Sequence, residues 1–136
     1  MKLTVDANVF FASLIKDSLA RKALLHPMAE LYAPEFLITE TSKYKNLIKT
    51  KSKLSEQDCI QLLNALLSNI AIIKHSELAD YTLPASKLTT DEKDVIYLAC
   101  ALYTNSSLLT NDKNLENQTR VKTFNLTTLA KQLKII

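Results

Sequence analysis

Residues 3–10 read Leu3-Thr4-Val5-Asp6-Ala7-Asn8-Val9-Phe10. Leu3–Val5 is a short strand that stops at an acid, Asp6, and helical periodicity begins almost at once, over Asn8–Lys16. The order repeats down the chain. A second short helix covers Ser18–Leu25 and a second strand Leu31–Ala33. Pro34 then suits the first position of a helix, where a missing N–H is no loss; that helix is predicted to reach about Ile48. Ser55, with Asp58 three residues on, is a capping-box variant. It opens a helix whose stripe, Cys59, Leu62, Leu63, Leu66, Leu67 and Ile70, keeps a 3.6-residue period. Ala71–Ile73 is a third strand. Thr89 and Glu92 form a capping box for Thr90–Tyr103, which is apolar nearly all round and should be deeply buried. Ser107–Thr110 and Val121–Phe124 are the fourth and fifth strands. A last helix from Thr127 carries the stripe Leu126, Leu129, Ala130 and Leu133. Alternating strands and helices predict an α/β sandwich around a mainly parallel sheet.

The 136 residues fit one domain, residues 1–136. There is no glycine, where average usage would supply roughly nine or ten. Phosphate-cradling and dinucleotide-binding loops need glycines for close backbone approach, so neither can be present. The net charge of +3 is compatible with nucleic acid without arguing for it. Cys59 and Cys100 share no metal or redox spacing and read as reduced core residues. The longest apolar run, Val95–Tyr103, is about half of what a membrane span needs. Asp6 and Asn8 interrupt the apolar N-terminal patch, so no signal peptide is expected and the expected compartment is the cytoplasm.

Four carboxylates break the local pattern. Asp6 ends the first strand and Asp112 follows the fourth by two residues. Ligands of parallel sheets sit outside the carboxyl ends of the strands, the edge where the following helices begin. Glu40 lies four residues after Phe36, four before Tyr44 and seven before Leu47, which places it on an apolar stripe. Asp94 lies four before Leu98 and seven before Ala101, again on an inward face. A lone carboxylate directed into a core is costly unless paired or metal-bound. Four together would take up protons or gather a divalent cation. Oxygen-only donors favour Mg²⁺ or Mn²⁺, the chemistry of phosphodiester hydrolysis. Asp91 and Glu92 read as first-turn acids favoured by the helix dipole.

These residues, in this order, resemble the PIN-domain nucleases, which include the VapC-type toxins. Residues 3–10 look like the family's first acidic motif. Pro34-Glu35-Phe36-Leu37-Ile38-Thr39-Glu40 looks like the second, Asp91-Glu92-Lys93-Asp94-Val95-Ile96-Tyr97-Leu98-Ala99 the third, and Leu109-Thr110-Asn111-Asp112-Lys113 the fourth. One departure stands before Asp112, where the family commonly has glycine and this chain has Asn111, a residue that tolerates positive φ. The resemblance implies a PIN-like three-layer α/β/α sandwich with four to five strands. It implies a Mg²⁺- or Mn²⁺-dependent endoribonuclease in which Asp6, Glu40, Asp94 and Asp112 are catalytic and bind one or two ions. It also implies an RNA substrate, an inhibitory antitoxin partner if this member is a toxin, and a homodimer.

Asn8 and Thr110 are candidates for orienting the acids. No histidine is well placed as a general base; His26 and His75 read as boundary residues. Lys43, Lys45, Lys49, Lys51 and Lys53 form a basic run that reads equally as an RNA-contacting rim or as a solvated helix end. Tyr44 among them could stack a base, but its spacing to Glu40 and Leu47 assigns it to core packing. Two rival functions remain. One is a phosphohydrolase of the haloacid-dehalogenase type, which usually needs an acid where Asn8 stands. The other is a non-catalytic RNA- or protein-binding module on the same fold.

Overall fold

The computed structural model describes residues 1–16 and 18–136. Five strands form one parallel sheet: β1 (Lys2–Val5), β2 (Glu30–Pro34), β3 (Ile70–Ile73), β4 (Ser107–Leu109) and β5 (Thr123–Phe124), in the spatial order β3-β2-β1-β4-β5. The helices are α1 (Ala7–Ile15), α2 (Leu19–Leu24), α3 (Phe36–Lys43), α4 (Lys45–Ser52), α5 (Glu56–Ser68), α6 (Thr82–Ser86), α7 (Glu92–Thr104) and α8 (Leu126–Gln132). Short 3₁₀ segments cover His75–Tyr81 and Lys113–Asn117.

The strand order explains the layers. β1 to β2 and β2 to β3 step in one direction, so right-handed crossovers lay their helices on one face. β3 to β4 steps back across β2 and β1, so α7 lands on the opposite face, packed on β1, β2 and β4. α1 packs with α2, α3, α4 and α5, and α2 with α8. A sheet covered on both faces needs strands that are apolar throughout. Leu3, Val5, Ala33, Leu108 and Leu109 are fully buried. Thr4 is buried too, its hydroxyl paired with that of Ser106 at 2.7 Å. Residues 97–101 of α7 are buried without interruption, and Cys100 is a free buried thiol; Cys59 is free and half-buried.

Three local expectations are corrected. Pro34 does not open a helix. It ends β2, in register with Ile73 where pairing with β1 has already stopped at Tyr32. The helix after it is two helices, α3 and α4, separated at Tyr44, whose backbone (φ −101°, ψ 13°) closes one and opens the other. The Thr89–Glu92 box is not formed: Asp91 caps α7 by accepting from the Lys93 N–H at 2.9 Å, and Thr89 accepts instead from the Asp91 N–H. The Ser55 cap expected before α5 holds, its Oγ accepting from the Asp58 N–H at 3.1 Å; Glu92 is in the first turn of α7 as expected, whereas Asp91 stands before it as the N-cap.

Candidate active site

The direction of crossover reverses between β1 and β4, which makes their carboxyl ends the crevice of the sheet. Asp6 leaves β1 there as the N-cap of α1. Its Oδ1 accepts from the Ala7 N–H at 2.8 Å and its Oδ2 from the Thr110 hydroxyl at 2.7 Å. Thr110, buried just past β4, uses the same oxygen to accept from the Asp112 N–H at 3.1 Å. One threonine thus links the exits of the two central strands. Asp112 caps the following 3₁₀ segment through Oδ1, which accepts from the Asn114 N–H at 2.9 Å.

Glu40 lies on α3 and is only 9% exposed. Its Oε1 accepts from the Tyr97 hydroxyl of α7 at 2.8 Å, so the two faces of the sandwich meet across this bond. Asp94, half-buried in the first turn of α7, makes no side-chain hydrogen bond among the described residues. Loss of water, then the charges of Asp91, Asp6 and Asp112, push its carboxyl up to about 6. Burial likewise raises Asp6, with Asp112 and Glu40 adding to the rise while the Thr110 and Ala7 hydrogen bonds oppose it.

Asp6, Glu40, Asp94 and Asp112 line one cleft of about 440 Å³. Asp91 lines it as well, and Phe11, Ile15, Tyr44, Leu47 and Ile48 form an apolar wall. Among the described residues the one ion pair is Lys49 with Glu56 at 4.0 Å, so no lysine or arginine pairs directly with these acids, although Lys51 and Lys93 line the same cleft. The donors are all oxygen, the chemistry that suits Mg²⁺ or Mn²⁺. No three of them, as placed, stand close enough to close on a single ion.

Asn8 is exposed and lines the cleft, yet among the described residues it hydrogen-bonds to none of the acids. The basic run is dispersed. Lys51 reaches the cleft; Lys45 and Lys49 line a separate apolar groove between α3, α4 and α5; Lys43 and Lys53 line neither. Lys93, passed over in the sequence, lines the cleft. Tyr44 is not a core residue: it is 40% exposed and lines the cleft, packed edge-on against Phe11. Tyr97 was also passed over. Its signal was a hydroxyl three residues after Asp94 inside an apolar helix, where a buried tyrosine must find a partner. Asn111 does not take the positive φ that a glycine stand-in would; Lys53, Asn105 and Lys134 do. Its amide oxygen accepts from the Leu126 N–H at 3.1 Å and ties the β4 exit to α8.

A family model described as PIN domain matches residues 4–134. Among solved structures, PAE2754 from Pyrobaculum aerophilum is similar with a TM-score of 0.66 and 19% identity, over 100% of this chain and 91% of that one. VapBC2 from Rickettsia felis, bound to a DNA fragment from their promoter, is similar with a TM-score of 0.63 and 18% identity, over 92% of this chain and 98% of that one. At these identities the likeness is one of fold. No curated protein matches the sequence significantly.

Proposed function

Because the chain belongs to the PIN-domain family, we propose that it is a metal-dependent endoribonuclease whose Asp6, Glu40, Asp94 and Asp112 hold one or two Mg²⁺ or Mn²⁺ ions. The observation that carries this reading is the convergence of four carboxylates, from four elements, on one cleft with no cation partner among the described residues. When bound, such an ion lowers the pKa of a water and stabilises charge on the leaving oxygen.

The chain's own groups divide the remaining work. Asp6 is fixed by the Ala7 N–H and the Thr110 hydroxyl, so it presents its charge in one orientation. Asp94 is untethered among the described residues and would be free to serve as a ligand of the ion. Glu40 commits Oε1 to Tyr97 and keeps Oε2 to orient the attacking water. Neither histidine lines the cleft, so protons leave through carboxylates and solvent. Asn8 lines the open side of the cleft without a bond to any of the acids among the described residues, so the orienting role falls to Thr110 alone.

The Rickettsia felis relative is a VapBC2 structure; this chain would be the toxin of such a pair, held by a small antitoxin, and would pair with a second copy of itself. Among the described residues no helix is long and apolar enough to cross a membrane.

Asp94→Asn should abolish Mn²⁺-dependent RNA cleavage while the circular dichroism spectrum stays unchanged. Full activity in that variant overturns the assignment. Calorimetry showing no Mn²⁺ binding to the wild type would leave a non-catalytic binding module instead.

A further inference from the structure

We propose that Tyr44, braced by Phe11, is a stacking platform for one unpaired nucleobase of the substrate, next to the carboxylate site. The proposal rests on the ribonuclease reading above and narrows its substrate to single-stranded or looped RNA.

Tyr44 sits one helical turn beyond Glu40, and its N–H reaches the Glu40 carbonyl at 3.3 Å. On a continuous helix the ring would follow the apolar stripe inward. The break between α3 and α4 falls on Tyr44 itself and turns the ring into the cleft, where it remains 40% exposed. Phe11 of α1 meets it at 5.5 Å between centroids with 63° between planes. A T-shaped contact with Phe11 does not stack on the tyrosine ring face to face, and the 40% exposure of Tyr44 leaves ring surface open to the cleft. Among the described residues the Tyr44 hydroxyl has no hydrogen-bond partner, so no polar contact fixes this ring; packing against Phe11 does.

A rigid, half-exposed aromatic face beside a phosphodiester-cutting site matches one part of a nucleic acid, the flat face of a base. Lys51 and Lys93 line the same cleft and are unpaired among the described residues, which gives the adjoining phosphates cationic partners. A base inside a duplex is already stacked on both sides, so only an unpaired base can present its face.

The chain contains no tryptophan, so Tyr44→Trp installs a single fluorescent reporter at the platform. With a single-stranded RNA hexamer in Ca²⁺, the expected result is quenching of that emission, and none with a duplex of the same sequence. By anisotropy, Tyr44→Phe should bind the hexamer within about twofold of wild type, and Tyr44→Ala about tenfold more weakly, the size of one lost base–aromatic stack. Tyr44→Leu, which keeps the wall filled without a π face, should match Tyr44→Ala. Equal binding by Tyr44→Leu and wild type overturns the stack while leaving the ribonuclease reading intact. Wild type that neither binds nor cuts RNA overturns both. Unchanged emission with RNA but quenching by an amphipathic helical peptide would reassign this wall to a protein partner.

Discussion

At Glu40 a buried carboxylate depends on one side-chain donor, the Tyr97 hydroxyl at 2.8 Å. Burial, then the hydrogen bond and charge of Glu40, raise the Tyr97 phenol far above its ordinary range, so the proton stays on the tyrosine at every working pH. Tyr97→Phe removes the donor and leaves the carboxylate buried without it. The loss should be about 1.5–3 kcal/mol, measured by urea denaturation at neutral pH. In a Glu40→Gln background the same substitution should cost much less, because the charge it served is gone; an undiminished loss would mean that Tyr97 acts through packing alone. Asp94 poses the opposite case. It titrates near 3.8 when unfolded and near 6 when folded. The native state therefore holds the proton more tightly, and ionisation opposes folding. The opposition is absent at low pH, grows between those two values, and is complete above them. Asp94→Asn should accordingly raise the melting temperature at about pH 8 and leave it unchanged at about pH 3.5. A gain of equal size at both pH values would sink the charge explanation. Glu40 and Asp94 stood out in the sequence because a carboxylate on an apolar stripe violates the pattern around it, and Asp6 and Asp112 because each follows a strand at the edge where a parallel sheet has its crevice; all four line the one cleft. Tyr97 was not, because a tyrosine in an apolar helix violates nothing until its hydroxyl is seen to face Glu40.

The elements read well where a period or a cap decided them, and poorly where a neighbouring strand did. β1 through β5, α1, α2, α5, α7 and α8 fall within a few residues of their expected places. Pro34 was misplaced because its preference for a helix start is local, whereas its pairing opposite Ile73 is a tertiary fact. The break at Tyr44 was hidden for a related reason: the stripe through Glu40, Tyr44 and Leu47 assumes an unbroken helix, and α4 starts afresh at Lys45. A chain without glycine must also end helices with other residues. Asn105 closes α7 in the left-handed conformation (φ 52°, ψ 47°), where asparagine is the best remaining choice. Lys53 closes α4 in the same region (φ 59°, ψ 16°) with no such excuse. Lys53→Gly removes the clash of Cβ with its backbone, and part of that gain is lost to greater freedom of the unfolded chain. The net effect should be a stabilisation of about 0.5–1 kcal/mol by thermal melting, with Lys53→Ala near zero. A lowered melting temperature in Lys53→Gly would show that the lysine side chain contributes more than its backbone strain removes.

Across the whole molecule, the topology concentrates negative charge that the composition hides. The net charge is +3, yet the reversal of crossovers between β1 and β4 brings acids from α1, α3, α7 and the β4 exit into one cleft. Backbone N–H groups anchor Asp6 and Asp112, and the strand ladder and apolar core position the elements that carry the four acids. A chelator should therefore leave the fold intact, unlike the case of a structural metal, whose removal unfolds the chain. Adding an ion that binds the native state alone should stabilise it by mass action. At free Mn²⁺ about 100 times its Kd the gain is about 2.7 kcal/mol, on the order of 8 °C in Tm for a domain of this size. Asp6→Asn and Asp94→Asn should each abolish most of that shift, whereas Lys53→Gly, which does not line the cleft, should keep it. The shift should also shrink near pH 5, where Asp94 is largely protonated and must release its proton to bind. If millimolar Mn²⁺ leaves the wild-type Tm unmoved at neutral pH, the four acids do not form a cation site. Their mutual repulsion would then be relieved by protonation instead, which the pH dependence of Asp94→Asn would report independently.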